Sequence, residues 1–251
     1  MRLQTRSGKS ALAAEITLPP PFSLVTLREV GDAFAHASKV AAQSGAGTLV
    51  YVGRFDVAEF AVVLEPDEPL HTARRALYAG MAALAETIAA YAPPDLPVSI
   101  RWPDALEVNV GLVGGGRLGW PKGAKEDEPP EWMVFGAMIR VASLMENPGL
   151  HPTSTALEQE GFDDFHASHL VESFARHLMA EMDSWNEHGF GSVARKYLRR
   201  LPIEPQTQCD IADNGDLVTR RKGKVRGERH ALAEVLGSPS WLDPATKDPK
   251  L

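Results

Sequence analysis

The sequence predicts an α+β fold: a mixed or antiparallel central sheet covered by helices, with a small β-rich C-terminal domain. Three observations predict it. The β-branched runs Thr48 to Val52 and Val57 to Leu64 follow one another around Gly53-Arg54-Phe55-Asp56, a hairpin pattern. Two stretches, Pro69 to Tyr91 and Phe165 to Glu187, carry apolar residues at helical spacing, so strands and helices do not alternate one for one. Past Pro202 and Pro205 the chain turns to short strands around Asp213-Asn214-Gly215-Asp216, a tight-turn signal.

Taken in order, Pro19-Pro20-Pro21 separates a tail, residues 1–18, from the body. Phe22 to Leu27 alternates apolar and polar residues and reads as a strand. Asp32 to Gln43 reads as a helix with Phe34, Ala37, Val40 and Ala41 on one side, stopped by Ser44-Gly45-Ala46-Gly47. Pro69 to Tyr91 is read as one helix, since Leu70, Leu77, Leu84 and Tyr91 share a heptad position, and Pro93-Pro94 ends it. Residues 98–117 then read as strand, turn, strand, with a first break at Arg101-Trp102-Pro103-Asp104 and a second at Gly114-Gly115-Gly116. Lys122 to Pro130 is a charged loop, Trp132 to Ala142 an apolar strand interrupted by Arg140, and Asn147 to Pro152 a turn-rich connection. The second long helix has Leu170, Phe174, Leu178, Met182 and Trp185 as its stripe, with Gly189 as its cap and a short helix over Ser192 to Leu201. The expected domains are a body over 19–202 and a small domain over 203–251, whose polar end holds Ser240-Trp241-Leu242-Asp243-Pro244.

The bulk numbers bound the function. The 251 residues, 44% hydrophobic and 24% charged, are those of a water-soluble globular chain. A formal net charge of -7 argues against nucleic acid or an anionic membrane surface as the main partner. The single cysteine, Cys209, leaves no internal disulfide and no multi-cysteine metal site, and a reducing, cytoplasmic setting is expected. No stretch approaches the roughly 18 apolar residues of a membrane span. Met1 to Leu18, with Arg2, Arg6 and Lys9, lacks the apolar core of a secretory signal and is read as a frayed tail or a misplaced start.

Two stretches offer chemistry. Arg101-Trp102-Pro103-Asp104 reads either as a structural turn, with Trp102 plugging a core and Arg101 pairing with Asp104, or as a ligand contact in which Asp104 accepts hydrogen bonds and Arg101 meets an anion. Gly114-Gly115-Gly116-Arg117 matches neither a P-loop nor a Rossmann fingerprint. It reads either as a strand thinned for a closely packed backbone or as a strand under a flat ligand. Asp163, Asp164, His166 and His169 share a helix start, where acidic residues are expected without any metal, and no metal site is assigned.

Residues 98–117 resemble the Lys-Trp-Pro-Asn-Asp segment and following Lys-x-Ala-Gly-Ile-Leu strand of the biotin/lipoate protein ligase family. The order matches: basic residue, Trp, Pro, acidic residue, strand, turn, glycine-bearing strand. Trp132 to Val141 is similar to the family's next strand, and Trp185-Asn186-Glu187-His188-Gly189-Phe190 to its late helix end. The resemblance covers most of residues 22–201 and implies a synthetase-like sheet domain. It implies a carboxylic acid substrate (biotin, lipoate or octanoate), ATP with magnesium, an acyl-adenylate, and transfer to the lysine of a carrier domain. It nominates Arg54, Arg101, Trp102, Pro103, Asp104, Gly114, Gly115, Gly116 and Arg117 as ligand-binding residues. This sequence departs from the family pattern in three places. The Gly-Arg-Gly-Arg-x-Gly-Arg loop is reduced to Ser44-Gly45-Ala46-Gly47 and Gly53-Arg54-Phe55-Asp56, Leu112 stands where the lysine is usual, and Ala105 where a second acid is usual. A non-catalytic ligase-fold protein that binds a ligand or a carrier domain is the alternative reading.

Overall fold

A computed structural model describes residues 16–143, 152–163, 165–224 and 227–251. Strand β1 (Ser23–Leu27), helix α1 (Ala33–Ser44) and strand β2 (Thr48–Val52) form a crossover unit in which the two strands run parallel. Asp32 caps α1 by accepting the Ala35 N–H at 2.8 Å. The small side chains of Ala33, Ala37 and Ala41 let the helix sit close on the sheet, against Val50, Ala61, Val63 and Val134. β2 and β3 (Val57–Leu64) pair antiparallel, as the hairpin pattern predicts.

The long helix predicted from Pro69 to Tyr91 is two helices, α2 (Leu70–Ala73) and α3 (Ala76–Tyr91). The break lies at Arg74 and Arg75. Their guanidinium Nε–H groups donate to the carbonyls of Leu70 and Thr72, at 3.3 and 2.9 Å. The N–H groups of Arg75, Leu77 and Tyr78 bond three residues back, in tightened turns. α3 is buried on nearly every side from Ala76 to Ile88, and only its end emerges, at Ala90 and Tyr91, the latter 43% exposed. Gly80 sits where a side chain would strike the Phe135 ring at 2.3 Å.

β4 (Val98–Arg101) and β5 (Ala105–Val108) form a hairpin across Trp102-Pro103, and β6 (Gly111–Gly119) and β7 (Met133–Arg140) complete a seven-stranded sheet. Its order is β1-β2-β3-β7-β6-β5-β4, antiparallel except for the first pair. The second break expected at Gly114–Gly116 is not there. The chain turns at Asn109 and Val110, both at positive φ, and the glycines lie inside β6. The ladder between β5 and β6 slips beside Leu106, and Gly114, at φ 147, absorbs the irregularity.

α4 (Ala167–His188) and α5 (Gly191–Leu198) join α3 on one side of the sheet, with Leu170, Phe174 and Leu178 of the predicted stripe fully in the core. β8 (Thr207–Ile211), β9 (Leu217–Arg221) and β10 (Glu228–His230) make the small antiparallel sheet, followed by α6 (Leu232–Val235). Residues 203–251 thus have their own sheet, but Ile211, Leu232 and Leu236 belong to the main core. Of the expected tail 1–18, residues 1–15 lie outside the described residues. Ile16 and Leu18 are not frayed: they pack on the core, and the Thr17 N–H donates to Glu172 at 2.7 Å. The expected connection Asn147 to Pro152 lies, apart from Pro152, outside the described residues. No helix among the described residues is long and apolar enough to cross a membrane.

Candidate functional site

Strand alternation divides the sheet. Ala58, Phe60 and Val62 of β3 face the helices α3 and α4, as do Phe135, Ala137 and Ile139 of β7. Their neighbours Val57, Glu59 and Met138 face the other way, as do Leu112 and Gly115 of β6, and among the described residues this second face has no long helix over its middle. α1 covers one end. The C-terminal segment from Ser240 to Leu251 covers the other.

Between them lies a set of charges. Arg54, from the β2–β3 turn, grips Asp56 through Nε and Nη2 at 3.1 and 2.9 Å and reaches Asp248 through Nη1 at 2.7 Å. These carboxylates hold its guanidinium firmly charged. Glu59 is 2% exposed and accepts the Ala33 N–H, at the start of α1, at 2.8 Å. Burial pushes its carboxyl above the usual range, against the pull of that N–H. Arg117 stacks 4.1 Å over the Phe34 ring and meets Asp32 at 3.3 Å, and burial lowers its affinity for a proton. Arg140 is buried at the end of β7 and donates to the carbonyls of Thr155, Pro249 and Lys250 at 3.3, 2.8 and 3.3 Å. A cavity of about 570 Å³ remains beside these groups, lined by Arg54, Val57, Arg140, Asp243 and Asp248.

The C-terminal segment occupies the sheet itself. Trp241 is completely buried and donates its Nε1–H to the Gly116 carbonyl at 2.8 Å. A Cβ at Gly115 would lie 2.4 Å from that indole and 2.1 Å from the Asp104 carbonyl. At Gly114 it would meet the Met138 carbonyl at 1.9 Å, and at Gly116, on the opposite face, Met81 and Phe135 at 2.7 Å. The glycines therefore admit a neighbouring backbone, the chain's own tryptophan and the helical core.

The nominated side chains separate into two places. The Asp104 carboxylate, 3% exposed, accepts the Ser240 N–H at 3.1 Å and its Oγ–H at 2.6 Å. Burial raises its pKa, and the Ser240 bonds oppose the rise. The pairing of Arg101 with Asp104, one of the two readings of that turn, is not formed. Arg101 is 52% exposed in its side chain and pairs with Glu107 at 3.1 Å. Trp102 turns its Nε1–H to the Tyr78 hydroxyl at 3.1 Å and lies 5.7 Å from the His230 ring, while the Pro103 carbonyl accepts from Tyr197 at 2.9 Å. Arg101 and Trp102 line a separate cavity of about 440 Å³ against the small sheet, shared with Cys209, Thr219 and Lys224. Arg54, Asp104, Gly115 and Arg117 share the charged face with Glu59, Arg140 and Trp241, which the motif reading omits. An arginine interrupting an apolar strand and a lone tryptophan in a polar tail are the sequence signals for the last two. Among the described residues no group of three or more His, Cys, Asp or Glu is placed to hold a metal ion, and Asp164 lies outside them.

The model of the biotin/lipoate A/B protein ligase family matches residues 18–199. This chain belongs to that family. No curated protein sequence matches this family member. Solved structures do. A biotin protein ligase-like protein of unknown function from Silicibacter sp. tm1040 is 25% identical, with a TM-score of 0.75 over 88% of this chain and 99% of that one. The apo biotin protein ligase of Aquifex aeolicus gives a TM-score of 0.67 at 13% identity, over 85% of this chain and 97% of that one. The biotin protein ligase of Leishmania major in complex with biotinyl-5-AMP gives 0.55 at 14% identity, over 84% and 99%. At these lower identities the likeness is one of fold. The ligase-family fold here is thus a seven-stranded sheet with helices and a small separate C-terminal sheet.

Proposed function

We propose that this ligase-family chain binds a carboxylic acid of the biotin, lipoate or octanoate type on the charged sheet face and activates it with ATP. The observation that carries the reading is the convergence of Arg54, Arg117 and Arg140 on the glycine-bearing face of a ligase-family domain. Leu112 carries no charge, but Arg140 stands on the adjacent strand, buried and bound only to backbone carbonyls among the described partners. A guanidinium so held is preorganised for carboxylate or phosphate oxygens. In the activation step a carboxylate oxygen bonds to the α-phosphorus of ATP as the bond to pyrophosphate breaks. A carrier lysine then attacks the acyl carbon, loses a proton, and releases AMP. Magnesium accompanies ATP as its phosphate counter-ion. The setting is proposed to be cytoplasmic.

A second reading, acid binding without activation, is favoured by Leu112, which is packed against Val57, Met138 and Trp241 and cannot offset developing charge. The deciding experiment mixes the protein with ATP, magnesium and biotin, lipoate or octanoate and follows pyrophosphate. Acid-dependent release that falls about two to three orders of magnitude in Arg140→Ala supports activation. A thermal shift with acid and no pyrophosphate leaves the binding reading, and neither response removes both.

A further inference from the structure

We propose that Ser240–Leu251 is a built-in occupant of the ligand face, displaced by a carboxylic acid whose ring carries N–H donors. The inference rests on the acid-binding reading above and names the regulation of that same site. Three groups of the segment do what such an acid would do. The Trp241 indole lies against Gly115 and donates a ring N–H to the Gly116 carbonyl at 2.8 Å. Ser240 supplies two donors to the buried Asp104 carboxylate. Asp248 lays a carboxylate on Arg54 at 2.7 Å. A ring, its donors and a carboxylate are thus delivered to the sheet by one stretch of chain.

The segment is also a closed unit. Lys250 returns its N–H to the Trp241 carbonyl at 2.8 Å and its Nζ to the Ser240 carbonyl at 2.6 Å. Asp243 donates to the Asp248 carbonyl at 2.9 Å, and Leu242 bridges to Pro249. Most of its backbone bonds are internal, so they survive its departure. What it leaves behind are the Asp104 carboxylate, the Gly116 carbonyl, Arg54 and Arg140, buried or half-buried groups that must be bonded again. An acid with ring N–H groups can rebond the acceptors as well as the arginines. An alkyl acid without donors can answer only the arginines. Gly237, shortly before the segment, stands in open space, where a side chain would meet nothing within 4 Å.

The test uses the full chain. Hydrogen exchange of the Ser240 amide and the Trp241 indole N–H, the two donors that the segment gives to the sheet, is followed with no ligand, with biotin (a cyclic urea acid) and with octanoate, beside calorimetric affinities. The variants are Trp241→Ala and, as the milder one, Asp248→Ala. The expected result is faster exchange of both protons on biotin binding, little response to octanoate, and biotin affinity at least about tenfold higher in Asp248→Ala, whose competent fraction is larger. Biotin binding with both protons still protected overturns the inference and leaves the acid-binding reading intact. Tighter binding of octanoate than of biotin also overturns it. Absence of binding by either acid in the wild type and in a folded variant whose Ser240 amide exchanges freely overturns the acid-binding reading, and the inference with it.

Discussion

The two faces of the seven-stranded sheet are held by different physics. Toward α3 and α4 the contacts are among rings and aliphatic chains: Phe60 against Phe174 with centroids 4.7 Å apart, and Phe135 stacked on Phe174 at 5.6 Å. Toward α1 and the C-terminal segment the sheet buries Glu59, Asp104 and Arg140, and each is answered by a group from elsewhere in the chain. The first face is specified by volume. The second is specified by partners, since a buried charge without one is far costlier than a loosely packed methyl group. A face that stays polar after folding is also the one where a charged ligand can exchange places with the protein's own groups.

The comparison can be broken most severely at Phe135. Phe135→Ala should lower stability by about 3–5 kcal/mol, because the ring sits between Gly80, Gly116 and Phe174 with no room for relaxation. Urea unfolding measures it, and a loss under about 1 kcal/mol would show a helical face that closes over cavities. Glu59 gives an intermediate and pH-dependent effect. Its carboxyl is raised by burial, so the folded chain favours the protonated form. That contribution is full below the ordinary glutamic acid value of 4.5 and is lost as pH rises through the raised one. Glu59→Gln should therefore gain melting temperature relative to wild type as pH goes from about 4 to 8. A gap that stays constant would mean that Arg54 and Arg117 already balance the buried charge. The smallest effect belongs to Arg101→Ala. With the side chain half in solvent, removing its pair with Glu107 should change stability by less than about 1 kcal/mol. A larger change in urea unfolding would show that the cavity beside Trp102 depends on it.

The helical face is the one that the sequence shows most clearly. Leu77, Leu84, Phe174 and Leu178 recur at helical spacing because burying one stripe demands it, and the β-branched apolar run Val57 to Leu64 marks a strand buried on both sides. The Trp-Pro-Asp turn and the glycines of β6 locate the family fold for a similar reason, since their conformations need those residue types. The charged face is less legible. Glu59 and Arg140 look like polar interruptions of apolar strands, and the residues that satisfy them lie far along the chain. Trp241 is 125 positions from the carbonyl it bonds, a pairing that no local pattern can announce. The helix break at Arg74 and Arg75 escaped the heptad for a related reason: side chains bonding their own backbone leave the apolar spacing untouched.

The Tyr78 hydroxyl, finally, joins three stretches of chain at one atom. It donates to the Gly215 carbonyl in the β8–β9 turn at 2.5 Å and accepts the Trp102 Nε1–H, while its ring lies 4.5 Å from that of Tyr197. Burial keeps the phenol protonated and so keeps it a donor. Ile211, Leu232 and Leu236 lie inside the same core, so the C-terminal region shares its interior with the large sheet. The two sheets are therefore expected to melt in one calorimetric transition, and stabilisation of the large sheet by a bound acid would then reach the small one as well.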